Sequence, residues 1–335
     1  MTGALQTLDS ETLVTALKAA GESTRLRILA LLSESELTVK DLTSILGQSQ
    51  PRISRHLKLL ADANLIMRYP EGAWVYYRVA EGGAERQLAD DLVALCDADD
   101  PALLRDREWL ANVKREHATE ALRYFARNAA AWDQIRSLHL PDAAVETAMV
   151  SLLGDRPVDR FLDLGTGTGR LLELFSGLYR TGIGIDASTA MLAVARANLD
   201  KVGLSHAQVR LGEIMKLPMP RDSFDLVAIH QVLHYLDDPA EALAEAARVL
   251  RPGGRLLIVD FAPHNLEFLR EKHAHRRLGF SHEMMLGWTR QLGLEMDKVL
   301  DLGAGAGADK LTVTLWLLRD PRFNIAGADR GLETA

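Results

Sequence analysis

The sequence predicts an α/β chain of several parts: a small helical unit closed by a β-hairpin, a helical connector, and a larger doubly wound sheet. Three observations carry this prediction. Helical periodicity fills residues 11–62, two β-rich runs bracket a Pro-Glu-Gly turn between 65 and 79, and from Val158 short apolar strands alternate with helices. At 335 residues the chain exceeds one ordinary domain, and 47% hydrophobic with 25% charged residues is a globular balance that excludes a disordered or fibrous chain. The expected boundaries are 1–82 for the first unit, 83–140 for the connector, 141–320 for the sheet and 321–335 for a tail.

The formal net charge of -7 argues against a nucleic-acid partner only if the charge is even along the chain, and it is not. Residues 1–80 hold nine Lys and Arg against eight acids, for +1, and the remainder carries -8. The single cysteine, Cys96, excludes an intramolecular disulfide and suits a reducing cytosol. No apolar run approaches the roughly 18 residues of a membrane span, and acids stand where an export signal would be basic. A cytoplasmic protein with no membrane partner is expected.

Leu13, Leu17, Leu26, Leu29, Ala30 and Leu32 recur at helical spacing, broken at Gly21-Glu22-Ser23, so two helices are expected with Ser23 capping the second. Thr38 precedes the amphipathic VKDLTSIL, which Gly47 ends. A second helix, PRISRHLKLLADA, follows, with proline in its first turn where no N–H partner is lost. Two short helices around a glycine turn suggest helix-turn-helix. Ile53, Leu57 and Leu60 share one face of the second helix, leaving Arg52, Arg55, His56 and Lys58 on others. Ser49, Gln50, Arg52 and Arg55 at a helix N-terminus offer donors to base edges and phosphates. A solvated basic face on an ordinary helix would carry the same residues. The hairpin of Leu65–Tyr69 and Trp74–Val79 tips the balance, because it reads as a wing bearing Arg68 and Arg78.

Residues 11–80 resemble the ArsR/SmtB winged-helix repressors, and QSQPRISRHLKLLADANLI matches that family's recognition-helix region nearly throughout. The resemblance implies a winged helix-turn-helix regulator, a homodimer on an inverted-repeat double-stranded operator. Ser49, Gln50, Arg52, Ser54, Arg55, His56, Lys58, Arg68 and Arg78 are the residues expected to face DNA. Metal-sensing members carry a cysteine pair where this chain has Glu36-Leu37-Thr38-Val39-Lys40-Asp41-Leu42, and Thr38 and Lys40 cannot replace thiolates. The helix around Glu85 to Asp97 lacks histidine, so the family's other common metal site is missing too. No metal effector is expected. In this family that helix would pack against its dimer mate, here through Leu88 to Leu95.

A long helix is expected from about Pro101 to Gln134, its Tyr124-Phe125 to Trp132-Asp133 segment packing on the sheet unit or lying as a lid over a ligand. The strands that follow are VDRFLDL, TGIGID, AQVRLGE, FDLVAIH, GRLLIVDF, LEMDKVLDL and LTVTLWLL, with helices at about Arg170–Gly177, Ser188–Val202 and Pro239–Leu250. Such alternation places a ligand at the carboxyl ends of parallel strands. The first strand ends in Asp163-Leu164-Gly165-Thr166-Gly167-Thr168-Gly169, glycines that let a ligand approach the backbone. This spacing departs from GxGxxG. Asp186 ends the second strand, placed to bond two ribose hydroxyls, and Glu213 follows the third, where an acid can accept from an adenine amino group. A second DLGAGAG at 301–307 precedes a β-rich run, so it reads as the loop of a terminal hairpin.

These features resemble a class I S-adenosylmethionine-dependent methyltransferase with a Rossmann-like sheet, over roughly residues 120–320. FDLVAIHQVLHYLDDPAEALAEAARVLRPGGRLLIVDF is similar to the central motifs of its small-molecule and quinone members. The resemblance implies S-adenosyl-L-methionine as cofactor, with S-adenosyl-L-homocysteine as product or effector. It implies a pocket of Asp163, Gly165, Thr166, Gly167, Gly169, Asp186, Ala187, Met191, Glu213, Ile214 and His230. Glu213 stands where aspartate is more usual.

Methyl transfer from a sulfonium needs in-line alignment, and a base when the acceptor is a hydroxyl or ring carbon. His230, His234 and Tyr235 follow the fourth strand and are the candidate catalytic residues, though a histidine there also serves packing or cofactor contact. Asp260 ends the fifth. His264, His273, His275 and His282 match no helical metal-ligand pair, so no metal is expected. Two functions stay open: a regulator carrying an active methyltransferase for a small-molecule acceptor, or one whose inactive methyltransferase fold only senses the S-adenosyl ligand.

Overall fold

The computed structural model describes residues 7–71, 74–80, 83–129, 142–303 and 311–322. It divides into two compact units, Met1–Thr119 and Glu120–Ala335.

In the first unit, α1 (Ser10–Ala20) is capped by Asp9, whose carboxylate accepts from the N–H groups of Glu11 and Thr12 at 3.0 and 2.9 Å. The cap of α2 (Ser23–Glu34) is Glu22, not the expected Ser23. Its longer side chain reaches back to accept from Arg25 N at 3.0 Å, which makes Ser23 the first helical residue. A reciprocal pair starts α3 (Val39–Leu46): the Thr38 hydroxyl accepts from Asp41 N at 3.2 Å, and the Asp41 carboxylate accepts from Thr38 N at 3.0 Å. Gly47 ends it at φ 64°. The second helix of the motif, α4 (Gln50–Asp62), buries Ile53, Leu57 and Leu60 completely, against a core that includes Ile28, Leu29 and Leu42.

Strand β1 (Leu37–Thr38) pairs with β3 (Trp74–Val79), which pairs in turn with β2 (Ile66–Glu71) so that Tyr69 faces Tyr76. Two residues are too few to show a period, which is why β1 left no trace in the sequence. Helix α5 (Gly83–Ala94) buries only Ala89, and Leu110 and Val113 of α6 (Pro101–Asn128) enter the same core. Trp132, Asp133 and the expected helix end at Gln134 lie outside the described residues.

In the second unit α7 (Asp142–Leu153), whose alanines and scattered polar residues give little helical contrast, was not anticipated. Its strands are β4 (Val158–Leu164), β5 (Tyr179–Asp186), β6 (Ala207–Leu211), β7 (Phe224–His230), β8 (Leu250–Phe261), β9 (Glu295–Gly303) and β10 (Thr312–Arg319). They form one sheet in the order β6-β5-β4-β7-β8-β10-β9. The first five are parallel, and β10 runs antiparallel to both neighbours. β9 and β10 pair as the expected terminal hairpin, and residues 304–310, which include most of the second DLGAGAG, lie outside the described ones. The helices α8 (Arg170–Leu174), α9 (Thr189–Lys201), α10 (Pro239–Val249), α11 (Phe268–His273) and α12 (His282–Gln291) complete the unit. Side chains alternate between two cores, Phe161 and Leu257 entering one, Leu162, Leu256 and Ile258 the other, so both sheet faces are covered. The order reverses between β4 and β7, which opens a crevice at their carboxyl ends. No described helix is long and apolar enough to cross a membrane.

One ion pair ties the first unit together. The Arg27 guanidinium forks onto Asp106 of α6 at 2.6 and 2.5 Å, and Asp106 is 2% exposed. Removing one partner strands a buried charge. Arg27→Ala is therefore expected to destabilise this unit by about 2–4 kcal/mol in chemical denaturation, and Arg27→Met with Asp106→Leu to recover most of that loss.

Candidate functional site

In the first unit, α4 turns its apolar stripe inward and leaves Gln50, Arg52, Ser54, Arg55 and Lys58 exposed beside the exposed cap Ser49. Arg68 on β2 is exposed as well. Two expected members of the set differ. Arg78 is half-buried, paired with Glu36 at 3.2 Å and stacked 4.9 Å from the Tyr69 ring centre. His56 is half-buried, its Nδ1 lying 3.5 Å from the Glu22 carboxylate. Burial lowers the His56 pKa below its ordinary 6.5; Glu22 opposes that and Arg25, Arg52 and Arg55 add to it. Residue type alone does not reveal these partners.

In the second unit the glycine-rich turn after β4 makes the crevice floor. Gly165 has φ 71°, and a Cβ there would lie 2.4 Å from Val232 Cγ2. Gly184 of β5 is bare for the same kind of reason, since its Cβ would meet the Thr166 hydroxyl oxygen at 2.6 Å. Asp163 is 2% exposed and accepts from the Thr166 hydroxyl at 2.6 Å, so it pins the turn. Gly169 starts α8 at φ 83°.

Asp186 at the end of β5 accepts from Gly167 N with one carboxylate oxygen and from Ser188 N with the other, each at 2.8 Å. Burial pushes its pKa up, against the pull of the backbone N–H groups of Ser188, Gly167 and Ala187. A carboxylate offers about four acceptor positions, so two stay available for a vicinal diol. Ala187 is exposed, and Met191 is 2% exposed with its N–H capped by Ser188 at 3.3 Å. Beyond β6, Glu213 is exposed and Ile214 packs on the core. His230 ends β7 half-buried.

On the far side of β4, a 3-10 turn (Leu233–Tyr235) buries His234, whose Nδ1 lies 2.7 Å from Asp260 Oδ1. Tyr235 stands against His234 with ring centres 4.1 Å apart, and Phe125 meets Tyr235 edge-on at 4.7 Å. Burial, with Tyr124 and Asp260 adding to it, raises the Tyr235 phenol well above the ordinary tyrosine value. Tyr124 and His273 share a 2.8 Å hydrogen bond, and burial raises the one pKa and lowers the other. Of the later histidines, His275 joins this group 4.1 Å from His234, while His282 sits apart on Asp301 and Trp316. Asp260 is the partner that histidine spacing alone could not find; its signal was an acid closing the apolar run of β8.

A family model described as bacterial regulatory protein, arsR family, matches residues 22–67, and one described as a methyltransferase domain matches residues 162–258. An uncharacterized methyltransferase of Bacillus subtilis, YcgJ, is 35% identical over 118 residues, 35% of this chain and 47% of that protein. The ubiquinone/menaquinone biosynthesis C-methyltransferase UbiE of Teredinibacter turnerae is 39% identical over 121 residues, 35% of this chain and 49% of that protein. The chain thus spans about half the length of these relatives or less. Among solved structures, the N-methyltransferase NodS of Bradyrhizobium japonicum in complex with S-adenosyl-L-homocysteine shares the fold, with TM-score 0.51, 20% identity and coverage of 60% of this chain and 99% of that one. The chain joins an ArsR-type helix-turn-helix domain to a domain of the S-adenosylmethionine-dependent methyltransferase fold.

The donor set fits that cofactor: a diol acceptor at Asp186, a turn with no room for side chains, and an acid beyond β6. Gly165→Ala forces its Cβ onto Val232 at a positive φ, so S-adenosylhomocysteine affinity by calorimetry is expected to fall at least tenfold, about 1.4 kcal/mol. His56 supplies a pH prediction. Its folded pKa lies below its unfolded one, so the unfolded chain takes up the proton first. This contribution to stability is whole above the ordinary 6.5 and shrinks as pH falls below it. Denaturation at roughly pH 8 and 5.5 is expected to show a smaller loss in His56→Gln than in the parent.

Proposed function

We propose that the chain is a cytoplasmic DNA-binding transcriptional regulator whose second domain binds S-adenosylmethionine and methylates a small molecule, leaving S-adenosylhomocysteine. The observation that carries this reading is the presence in one chain of an exposed basic face at Arg52, Arg55 and Lys58 and a carboxylate at Asp186, fixed by two backbone N–H groups with acceptor positions to spare beside a glycine cradle. On this reading Ser49, Gln50, Arg52, Ser54, Arg55 and Lys58 meet bases and phosphates, and Arg68 meets backbone.

The operator is an inverted repeat read by a homodimer. An exposed apolar row on α1, Leu13, Val14 and Leu17 at 36–46% exposure, supports a twofold mate better than the α5 residues do, since Leu88, Leu92 and Val93 pack against their own core. Metal has no part in the reading, because Thr38 caps α3 where the resemblance would place a thiolate.

In the second domain Asp186 holds the ribose, Glu213 accepts from the adenine amino group, and Gly165 and Gly167 let the ligand lie on the backbone. When bound, the cofactor supplies a methyl group carried on a sulfonium. His230, His234 and Tyr235 line the acceptor side. Coupling to DNA needs only a difference in affinity between two states, and about 1.4 kcal/mol gives tenfold.

The test is a gel shift on DNA upstream of the protein's own gene, with S-adenosylmethionine and S-adenosylhomocysteine added separately. A differential response is expected; indifference to both ligands would leave the DNA domain answering to something else. Asp186→Ala is expected to abolish binding of either ligand in calorimetry. Arg55→Ala is expected to weaken operator binding while leaving ligand affinity intact, and equal loss of both would show that the two functions are not separable.

A further inference from the structure

The half of the crevice beyond β4 holds a second arrangement, and its reading rests on the proposal that this end of the sheet is a methyl-transfer site. His234 and Asp260 are a buried pair, their side chains 2% and 0% exposed and joined at 2.7 Å. The same Asp260 oxygen accepts from Phe261 N at 2.8 Å, so the backbone fixes the carboxylate. The turn is fixed as well. Arg276 and Arg277 donate their N–H groups to the His234 carbonyl at 2.8 and 3.0 Å, and the Arg276 guanidinium pairs with Asp237 at 2.8 Å.

An ionised carboxylate only accepts, so the proton on the shared edge belongs to Nδ1, and in the neutral ring Nε2 carries a lone pair. That Nε2 is buried and meets no hydrogen-bond partner among the described residues. A polar atom in that condition needs an explanation. Around it stand the rings of Tyr235, His275 and Phe261, at 4.1, 4.1 and 5.0 Å from the His234 ring centre. Asp186 is on β5, the glycine turn follows β4, and the pair follows β7 and ends β8, so the pair lies across the glycine turn from Asp186 at the same end of the sheet.

We infer that His234 is the general base of this site, that Asp260 is its positioning residue, and that the methyl acceptor is a small aromatic compound with a weakly acidic hydroxyl. The aromatic lining selects a flat ring. A thioether acceptor presents its lone pair as it stands and an aliphatic hydroxyl is too weak an acid for an imidazole, whereas an aromatic hydroxyl is acidic enough for one to take its proton. The O–H proton passes to Nε2, its electron pair stays on oxygen, and Asp260 balances the charge gained by the imidazole. The oxygen so exposed is the nucleophile for the methyl group, and the electron pair of the broken sulfur–carbon bond returns to sulfur. Because Nε2 is enclosed, the covering rings part to admit the acceptor.

The full chain is saturated with S-adenosylhomocysteine and titrated with 4-nitrophenol at a pH where the free phenol is neutral, and the phenolate absorbance is followed. The bound probe is expected to ionise. His234→Gln is expected to abolish the phenolate band, and Asp260→Asn, which keeps the shape and removes the charge, to cut the ionised fraction at least tenfold; circular dichroism and S-adenosylhomocysteine calorimetry are expected to match the parent. A pair that merely pinned the turn would leave the band unchanged in folded Asp260→Asn. If S-adenosylhomocysteine binds but 4-nitrophenol stays neutral or unbound, or ionises equally in both variants, the base assignment is overturned with the cofactor reading intact. Failure of S-adenosylhomocysteine to bind would overturn the reading beneath it.

Discussion

The cofactor end of the molecule depends on how closely the turn after β4 lies against its neighbours. Thr166 rests where a side chain on Gly184 would be, and Val232 occupies the space that a side chain on Gly165 would need. From that contact the rest follows in order. The turn brings Gly167 N to Asp186, Asp186 also receives Ser188 N, and Ser188 caps the start of α9. A carboxylate that would be costly to bury is thereby held in one orientation with acceptor capacity to spare. Local backbone geometry, rather than net charge, builds the site.

Charge works differently in the two units. In the first, the residues proposed to meet DNA are those the core leaves over: Ile53, Leu57 and Leu60 anchor α4, and Arg52, Arg55 and Lys58 are exposed because the stripe behind them is buried. In the second, acids are drawn inward and matched one by one, Asp163 by a hydroxyl, Asp186 by two amides and Asp260 by an imidazole and an amide. The overall -7 is thus a sum over two surfaces with different tasks.

Much of this was legible in the residues. VKDLTSIL, VDRFLDL and FDLVAIH coincide with α3, β4 and β7 to the residue, because capping residues and apolar runs with sharp edges mark their ends. What escaped reading depended on partners distant in sequence. The two-residue strand β1 exists only because β3 lies beside it, and in α7 the buried stripe of Val145, Met149 and Leu153 is blurred by apolar residues on its other faces. Arg78 has Glu36 and Tyr69 beside it, partners 42 and 9 residues away that no local spacing reveals. Within the candidate site, Gly165, Asp186 and Glu213 stand out in the sequence at or just past strand ends. The pairing of His234 with Asp260 joins residues 26 apart and follows only from the adjacency of β7 and β8.

Thr38 carries a consequence of its own. It both donates to and is bonded by Asp41, closing the start of the helix that precedes the reading helix. A neutral thiol here would be a poorer hydrogen-bonding partner than the hydroxyl, so Thr38→Cys loosens the start of α3 by about 1 kcal/mol. The seating of α3 ahead of α4 thus hangs on one hydroxyl and the carboxylate three residues on.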